Sequence, residues 1–276
     1  MSSSGPVADF MSKVPAVTLG FWIIKILATT LGETAGDSVT MSWLGETTPN
    51  AMASAWHIGY LIGTAILIVP LVLLVIAQIR APKFHPALYW ATIIASTMAG
   101  TTLADFFDRS LGIDYLGGSV ALFACVMLSL AVWRSVMGTV SVDSVYEPKA
   151  EMFFWVTITF SQTLGTALGD WTADSSIMGH GIAYTGGALV FGFALLVVAL
   201  LYYRTSRSRS GLFWAAFILT RPLGATVGDF LDKPLAKGGL DFSRPLASLV
   251  LVLAIAALIY FLPQRAGRHA GNKAMV

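Results

Sequence analysis

The stretch WIIKILATTLGETAGD (residues 22–37) begins with a tryptophan and ends with an aspartate fifteen positions later. The same spacing recurs in WATIIASTMAGTTLAD (90–105), WVTITFSQTLGTALGD (155–170) and WAAFILTRPLGATVGD (214–229). Each copy also has a glycine ten positions after the tryptophan and a small residue four positions after that glycine. Recurrence at one spacing is typical of a chain built from copies of one structural unit. The sequence therefore predicts four repeats.

The composition is typical of a protein embedded in a lipid bilayer. Hydrophobic residues make up 56% of the 276 residues, charged residues make up 12%, and the mean hydropathy is +0.74. A window of about 20 residues, the length that crosses a bilayer, finds eight candidate helices: 17–38, 54–79, 87–106, 116–138, 152–171, 182–203, 212–230 and 245–263. We therefore predict an all-α membrane protein with eight transmembrane helices in a single membrane domain, residues 1–276.

Each repeat is predicted to be a two-helix hairpin, and the repeats cover about residues 17–80, 87–138, 152–204 and 212–263. Because each repeat crosses the membrane twice, the four copies insert in one orientation, as parallel repeats with pseudo-fourfold or nested twofold symmetry about the membrane normal. Lysine and arginine are concentrated before the first helix and after the second helix of each repeat. The positive-inside rule then places both termini in the cytoplasm.

These four tryptophans and the two-helix unit around each of them give the chain a resemblance to a known family. It resembles bacterial integral membrane proteins made of four tandem repeats of unknown function, each with two transmembrane segments and a characteristic tryptophan. The resemblance covers about residues 17–263. It implies the eight-helix architecture and a multi-pass location in the bacterial inner (plasma) membrane, and it implies no substrate.

The acidic side chains are the basis for predicting a function. Four repeated aspartates should lie at one depth and form a ring around the bundle axis: Asp37, Asp105, Asp170 and Asp229. Glu33 of the first repeat should lie beside this ring. An ionised carboxylate at the centre of a bilayer costs about 2.5–3.5 kcal/mol, so such residues are generally functional. We predict that these five bind a metal cation. Weaker candidates are three acids that come shortly after the repeated aspartates in the chain, Asp108, Asp174 and Asp232. Four side chains on or beside the same helix face are also weaker candidates: Thr30, Thr101, Thr166 and Met98.

Carboxylate and hydroxyl oxygens favour Mn²⁺, Mg²⁺ or Ca²⁺ over copper or zinc. In addition, ETAGDS (33–38) is similar to a Glu-x-Gly-Asp-basic-Ser/Thr motif of calcium and manganese cation/proton exchangers, with one extra residue and without the basic one. We therefore predict a proton-coupled secondary transporter of a divalent cation, most simply a manganese exporter. The cation is a substrate, no cofactor is predicted, and the partners are the bilayer, the cation and the proton. The absence of a block rich in lysine and arginine argues against nucleic acid, and a homo-oligomer is left open.

The function and the roles of several side chains have alternative interpretations. The chain is not predicted to be an enzyme, but paired membrane aspartates also occur in intramembrane aspartyl proteases, and a structural or accessory membrane subunit is a further alternative. The repeated aspartates have an alternative interpretation as helix-terminal residues at the outer headgroup level, tied to loop backbone or to Arg109 and Lys233. The tryptophans are expected to be interfacial anchors, and Asp108, Asp174 and Asp232 to be solvated loop acids. Lys25 and Arg221 lie off the aspartate face, and whether Arg221 pairs with an acid of a neighbouring repeat is left open.

Overall fold

The computed structural model describes residues 11–46, 58–113, 115–174, 183–205, 208–235 and 238–268. Within these residues the chain forms eight long α-helices, which confirms the predicted all-α fold of four two-helix repeats. The helices are α1 (Leu19–Asp37), α2 (Ile58–Arg80), α3 (Pro86–Asp105), α4 (Tyr115–Met137), α5 (Pro148–Asp174), α6 (Ala183–Arg204), α7 (Arg209–Asp232) and α8 (Arg244–Phe261).

The first helix of each repeat lies in the centre of the protein. Helix α1 packs against α3 and α7, and α5 packs against the same two helices, so the four form a closed ring. Aromatic residues near their first turns contact one another, and charged residues near their last turns do the same, so the four helices run parallel. We call them the inner helices, and we call the two ends of their bundle the Trp end and the Asp end.

The second helix of each repeat, which we call the outer helix, packs mainly against the inner helix of the next repeat. Thus α2 covers α3, α4 covers α5, α6 covers α7, and α8 closes the circle on α1. The two helices of one repeat therefore do not pack mainly against each other, as those of a hairpin would. Short linkers explain two of these contacts, since residues 81–85 and 205–208 join α2 to α3 and α6 to α7, and short connections place consecutive helices side by side.

The outer helices are the most apolar part of the described chain. Helices α2, α4, α6 and α8 are long and apolar enough to cross a membrane, and they are the four described helices for which this holds. Their surfaces expose large apolar side chains, for example Leu189 at 75% and Phe193 at 68%. The inner helices are less apolar because they have more polar side chains, and many of these are buried inside the ring.

Close contacts at the repeated glycines hold the inner helices together. The glycine ten positions after each tryptophan faces the side chain seven positions after the tryptophan of the next repeat. These contacts run around the whole ring: Gly32 with Thr97, Gly100 with Gln162, Gly165 with Arg221, and Gly224 with Thr29. The close approach also allows hydrogen bonds between helices. For example, the hydroxyl of Thr29 donates a hydrogen bond of 3.2 Å to the carbonyl oxygen of Thr220. This is the small-residue packing that lets membrane helices approach closely.

Aromatic side chains form a second ring at the Trp end. The residue before each tryptophan is aromatic and contacts the tryptophan of the next repeat. The centroid distances are 5.5 Å for Phe21 and Trp90, 5.8 Å for Tyr89 and Trp155, 6.2 Å for Phe154 and Trp214, and 5.7 Å for Phe213 and Trp22. The expected role as interfacial anchors is wrong for Trp90, Trp155 and Trp214, because they are at most 3% exposed.

A short sheet, which the sequence did not predict, lies at the Trp end. Strand β1 (Met11–Pro15) pairs antiparallel with β2 (Ala266–Arg268). The Nζ atom of Lys13 in β1 lies 2.5 Å from a carboxylate oxygen of Glu151 in α5, and it donates a hydrogen bond of 3.1 Å to the carbonyl oxygen of Ile79 in the last turn of α2. A cation is favourable at a helix C-terminus. Through these two contacts Lys13 connects the sheet to α2 and α5.

Replacing Gly224 with alanine tests the packing of the inner ring. A Cβ at this position would lie 2.8 Å from the backbone carbonyl carbon of Thr29, which cannot rotate away. We expect Gly224→Ala to lower the free energy of unfolding by about 1–3 kcal/mol, the usual cost of overpacking. The measurement is thermal unfolding of the purified protein in detergent.

Gly192→Ala in the outer helix α6 is the matched control. No described atom lies within 4 Å of a Cβ added there, and alanine is the better helix former by about 0.5–1 kcal/mol. We expect this variant to be as stable as the parent protein or slightly more stable. Equal stability of the two variants would contradict the glycine contacts.

Candidate functional site

The four repeated aspartates come together at the Asp end, and each is at most 5% exposed. They do not form one uniform ring. They form two pairs instead, each bridged by one cationic side chain. One pair joins the first and fourth repeats through Asp37 and Asp229, and the other joins the second and third repeats through Asp105 and Asp170.

Lys233, the residue that follows α7, bridges the first pair. Its Nζ atom lies 2.6 Å from Oδ2 of Asp37 and 2.9 Å from Oδ1 of Asp229. Burial acts to lower the pKa of Lys233, but the carboxylates of Asp229 and its neighbours together raise that pKa well above its ordinary value. The ammonium group is therefore charged at neutral pH and balances part of the negative charge around it.

Arg109 bridges the second pair. It lies in a π-helical turn, Phe106–Ser110, that continues α3 directly after Asp105. The Nε atom is 2.8 Å from Oδ1 of Asp105, and a terminal nitrogen is 3.5 Å from Oδ2 of Asp170. The guanidinium group also lies 5.9 Å from the ring centroid of Tyr60 in α2, at the outer limit of a cation–π contact. Two inner helices and one outer helix are thus joined here.

The two bridging cations occupy equivalent positions in the repeats. Arg109 and Lys233 each stand nineteen positions after the tryptophan of their own repeat, where the first and third repeats have Met41 and Asp174. Each cation binds the aspartate of its own repeat and reaches that of the next. The charges therefore have twofold symmetry within a fourfold arrangement of helices. The ion pairs agree with the alternative interpretation that ties the repeated aspartates to Arg109 and Lys233, and the alternation between repeats is visible in the sequence.

The acids beyond the repeated aspartates differ in their positions. Asp232 is 5% exposed, and its Oδ2 atom lies 3.1 Å from Nε of Arg244, which is also 3.8 Å from Oδ2 of Asp37. Its interpretation as a solvated loop acid is therefore wrong. Asp108 is partly buried. Asp174 is the last residue of α5, and its side chain lies outside the described residues.

Arg221 of α7 extends across the bundle axis, nearer to the Trp end than the aspartates. It is fully buried, and its Nη2 atom lies 2.9 Å from Oε2 of Glu33. The same atom donates a hydrogen bond of 2.6 Å to the hydroxyl of Thr101 and another to the hydroxyl of Thr166. Gly165 makes room for the base of the side chain. Arg221 thus contacts all three other inner helices, which settles the pairing that the sequence left open.

Glu33, Asp37 and Asp229 form the tightest group of potential metal ligands within the described residues. One carboxylate oxygen from each lies within 4.8 Å of the others, and all three side chains are buried. Oxygen ligands of this kind suit Mg²⁺, Ca²⁺ or Mn²⁺. We call these three residues the carboxylate triad. Two of its members belong to the first repeat, and the third belongs to the fourth.

The other predicted ligands lie elsewhere. Asp105 and Asp170 are bound to Arg109, and the hydroxyls of Thr101 and Thr166 accept hydrogen bonds from Arg221. Thr30 donates a hydrogen bond of 3.0 Å to the carbonyl oxygen of Ile26 in its own helix. Met98 packs against an apolar cluster that includes Leu67 and Leu71 of α2. Helix α2 therefore covers the side of α3 on which Met98 lies.

Lys25 is a second buried basic residue on the Trp side of the triad. It is 0% exposed, and its Nζ atom lies 4.1 Å from the ring centroid of Phe217, a cation–π distance. Within the described residues that atom has no hydrogen-bond partner. The bundle interior thus contains carboxylates at the Asp end and two basic side chains, Lys25 and Arg221, closer to the Trp end.

The repeats match a known family. A family model described as a Repeat of Unknown Function (DUF347) matches residues 20–84, 88–139, 153–208 and 212–265. The chain belongs to this family. The match confirms the four predicted tandem repeats. No curated protein and no solved structure matches the chain, and the similarity of ETAGDS (33–38) to cation exchangers finds no support in these comparisons.

Separating Arg221 from Glu33 should destabilise the protein strongly. Arg221→Met leaves the Glu33 carboxylate buried without its partner, which typically costs about 3–5 kcal/mol. Adding Glu33→Gln removes that charge, so we expect the double variant to be more stable than Arg221→Met alone. The stability of these two variants and of Glu33→Gln alone is measured by unfolding in detergent.

Arg209→Met in the same helix is the control. Arg209 is exposed, and substitutions at exposed positions usually change stability by less than about 0.5 kcal/mol. If Arg221→Met were as stable as Arg209→Met, or if the effects of Arg221→Met and Glu33→Gln simply added, the buried pair would not have the role described above.

Proposed function

We propose that this protein is a secondary transporter of a divalent metal cation, and specifically a proton-coupled manganese exporter. The observation that carries the proposal is the carboxylate triad, because three buried acids with oxygens this close together favour a bound cation. The proposal takes the cation as a substrate that the protein binds and releases.

We also propose that all eight helices cross the membrane, the four inner helices included. The inner helix α1 has 19 residues and α5 has 27, lengths of about 28 and 40 Å at a rise of 1.5 Å per residue. Helix α5 is longer than a hydrocarbon core of about 30 Å and α1 nearly equals it, and the apolar outer helices surround both. Basic residues at the Trp end, such as Arg80 and Arg134, favour a cytoplasmic Trp end, cytoplasmic termini and a bacterial inner membrane.

The charge balance of the Asp end also favours a divalent cation. The ion pairs among the described residues join six carboxylates, Glu33, Asp37, Asp105, Asp170, Asp229 and Asp232, to four cationic side chains, Arg109, Arg221, Lys233 and Arg244. With all groups ionised, this network has an excess of two negative charges. One divalent cation would neutralise it.

Competition for the same oxygens explains how protons would drive transport. A carboxylate has to be deprotonated to bind a metal ion, so metal binding releases protons and protonation releases the metal. A proton gradient can therefore expel the metal on one side of the membrane. The buried position of Glu33, Asp37 and Asp229 keeps both reactions inside the bundle.

A second candidate is a structural or accessory membrane subunit that transports nothing. The favouring observation is that each repeated aspartate already has a cationic partner, Lys233 or Arg109. In that case the carboxylates would serve only to hold the inner helices together.

Metal flux into proteoliposomes distinguishes the two candidates. We expect the purified protein to move Mn²⁺ into vesicles with an entrapped Mn²⁺-quenched dye, at a rate that depends on an imposed pH gradient. Asp37→Asn and Asp229→Asn should each lower the initial rate about tenfold or more. The reason is that losing even an outer partner of a metal ligand typically costs 10–100-fold in affinity or activity.

Asp241→Asn is the matched control for these variants. Asp241 is an exposed acid on the same side of the bundle, and its backbone has a positive φ of 58°, which asparagine tolerates. This variant should transport at the parental rate. Absence of pH-dependent flux of Mn²⁺, Ca²⁺ or Mg²⁺ in the parent protein would contradict transport and favour the accessory subunit.

A further inference from the structure

We propose that Lys233 is a built-in counter-cation of the metal site. Its ammonium group neutralises part of the charge of the carboxylate triad when no metal is bound, and it has to leave for Asp232 when the metal enters. This inference rests on the proposed function, because it requires the triad to bind a divalent cation.

The ammonium group lies at the oxygens that a metal would use. Its Nζ atom is 2.6 Å from Oδ2 of Asp37 and 2.9 Å from Oδ1 of Asp229, and both residues belong to the triad. The ammonium of lysine is a compact point charge. At this position it provides one of the two positive charges that a divalent cation would supply, so the two compete directly.

The triad also retains ligand capacity that Lys233 does not use. Within the described residues, Oδ1 of Asp37 has no hydrogen-bond partner, although Asp37 is only 1% exposed. A buried carboxylate oxygen without a partner is costly. It indicates that the ammonium group is an incomplete substitute for the ion that this site accommodates.

An alternative partner for the ammonium group is nearby. Oδ1 of Asp232 lies 3.9 Å from Nζ and has no hydrogen-bond partner within the described residues. Lys233 follows the last residue of α7, and its backbone is extended, with φ −77° and ψ 152°. A side chain at a helix end with four rotatable carbon bonds can move by this distance without disturbing α7. Asp232 can therefore receive Lys233 when a metal occupies Asp37 and Asp229.

A thioether lies beside the same point. The Sδ atom of Met41, which occupies in the first repeat the position that Lys233 occupies in the fourth, is 3.9 Å from Nζ. A metal that replaced the ammonium group would therefore have a soft donor next to three carboxylates. A thioether suits softer metals than Mg²⁺ and Ca²⁺, whereas the three carboxylates suit Mn²⁺.

Removing the ammonium group should strengthen metal binding. Two like charges near each other inside a protein repel strongly, so the parent protein has to move Lys233 before the triad can bind Mn²⁺. Lys233→Met retains the apolar length of the side chain without the charge, and Lys233→Gln is a second neutral variant. We expect both to bind Mn²⁺ about tenfold more tightly, or more, than the parent protein.

The test is a titration of Mn²⁺ alone into the purified full-length protein in detergent, with free Mn²⁺ measured by its electron paramagnetic resonance signal. Arg109→Met is the charge-matched control, because it removes a cation of the other aspartate pair. Lys83→Met is the surface control. We expect a smaller increase in affinity for Arg109→Met, none for Lys83→Met, and loss of binding for Asp37→Asn in the parent and in Lys233→Met.

The outcomes separate this inference from the proposed function. If the parent protein binds Mn²⁺ through Asp37 but neither Lys233→Met nor Lys233→Gln binds it more tightly, the metal site stands and the role of Lys233 is wrong. An increase for Arg109→Met as large as for Lys233→Met would also overturn it, because the effect would be one of net charge. If no variant binds Mn²⁺, the proposed function itself fails.

Discussion

Close approach of the four inner helices at the repeated glycines is the constraint on which the rest of the structure depends. Each glycine accepts a side chain from the next repeat, so the contacts run in a circle and the fourth repeat closes on the first. A Cβ at Gly224 would separate α7 from α1. Because that contact brings α7 against α1, it also brings Asp229 and Lys233 of the fourth repeat to Glu33 and Asp37 of the first.

The charged faces of these helices are enclosed in the bundle, so their charged side chains need partners of opposite charge. A buried charge without a partner costs several kcal/mol. The four repeats do not contribute equally to the pairing. The second and fourth repeats provide the bridging cations, and the fourth also provides Arg221, which pairs with the glutamate that only the first repeat has. The junction between the fourth and first repeats thereby contains four buried carboxylates, Glu33, Asp37, Asp229 and Asp232, and the candidate metal centre lies there.

The sequence predicted the parts of this arrangement that depend on regular spacing. The tryptophan, glycine and aspartate positions gave the four repeats, their common orientation and the approach of Glu33 to Asp37. Long side chains and packing partners were harder to predict. A helical wheel gives the direction of a Cβ, so it could not show that Arg221 reaches across the axis to Glu33. It also could not show which outer helix covers Met98. The pairing of Arg109 and Lys233 with the aspartates was present in the spacing, but it appears in alternate repeats and therefore requires a comparison of pairs.

The central claim is that the junction of the first and fourth repeats binds a divalent cation. The most direct measurement is an anomalous difference map from crystals of the full chain grown with Mn²⁺. We expect a peak among the carboxylates of Glu33, Asp37 and Asp229, with the ammonium group of Lys233 displaced towards Asp232. Density for Lys233 that still bridges Asp37 and Asp229, with anomalous peaks only at the protein surface, would contradict it.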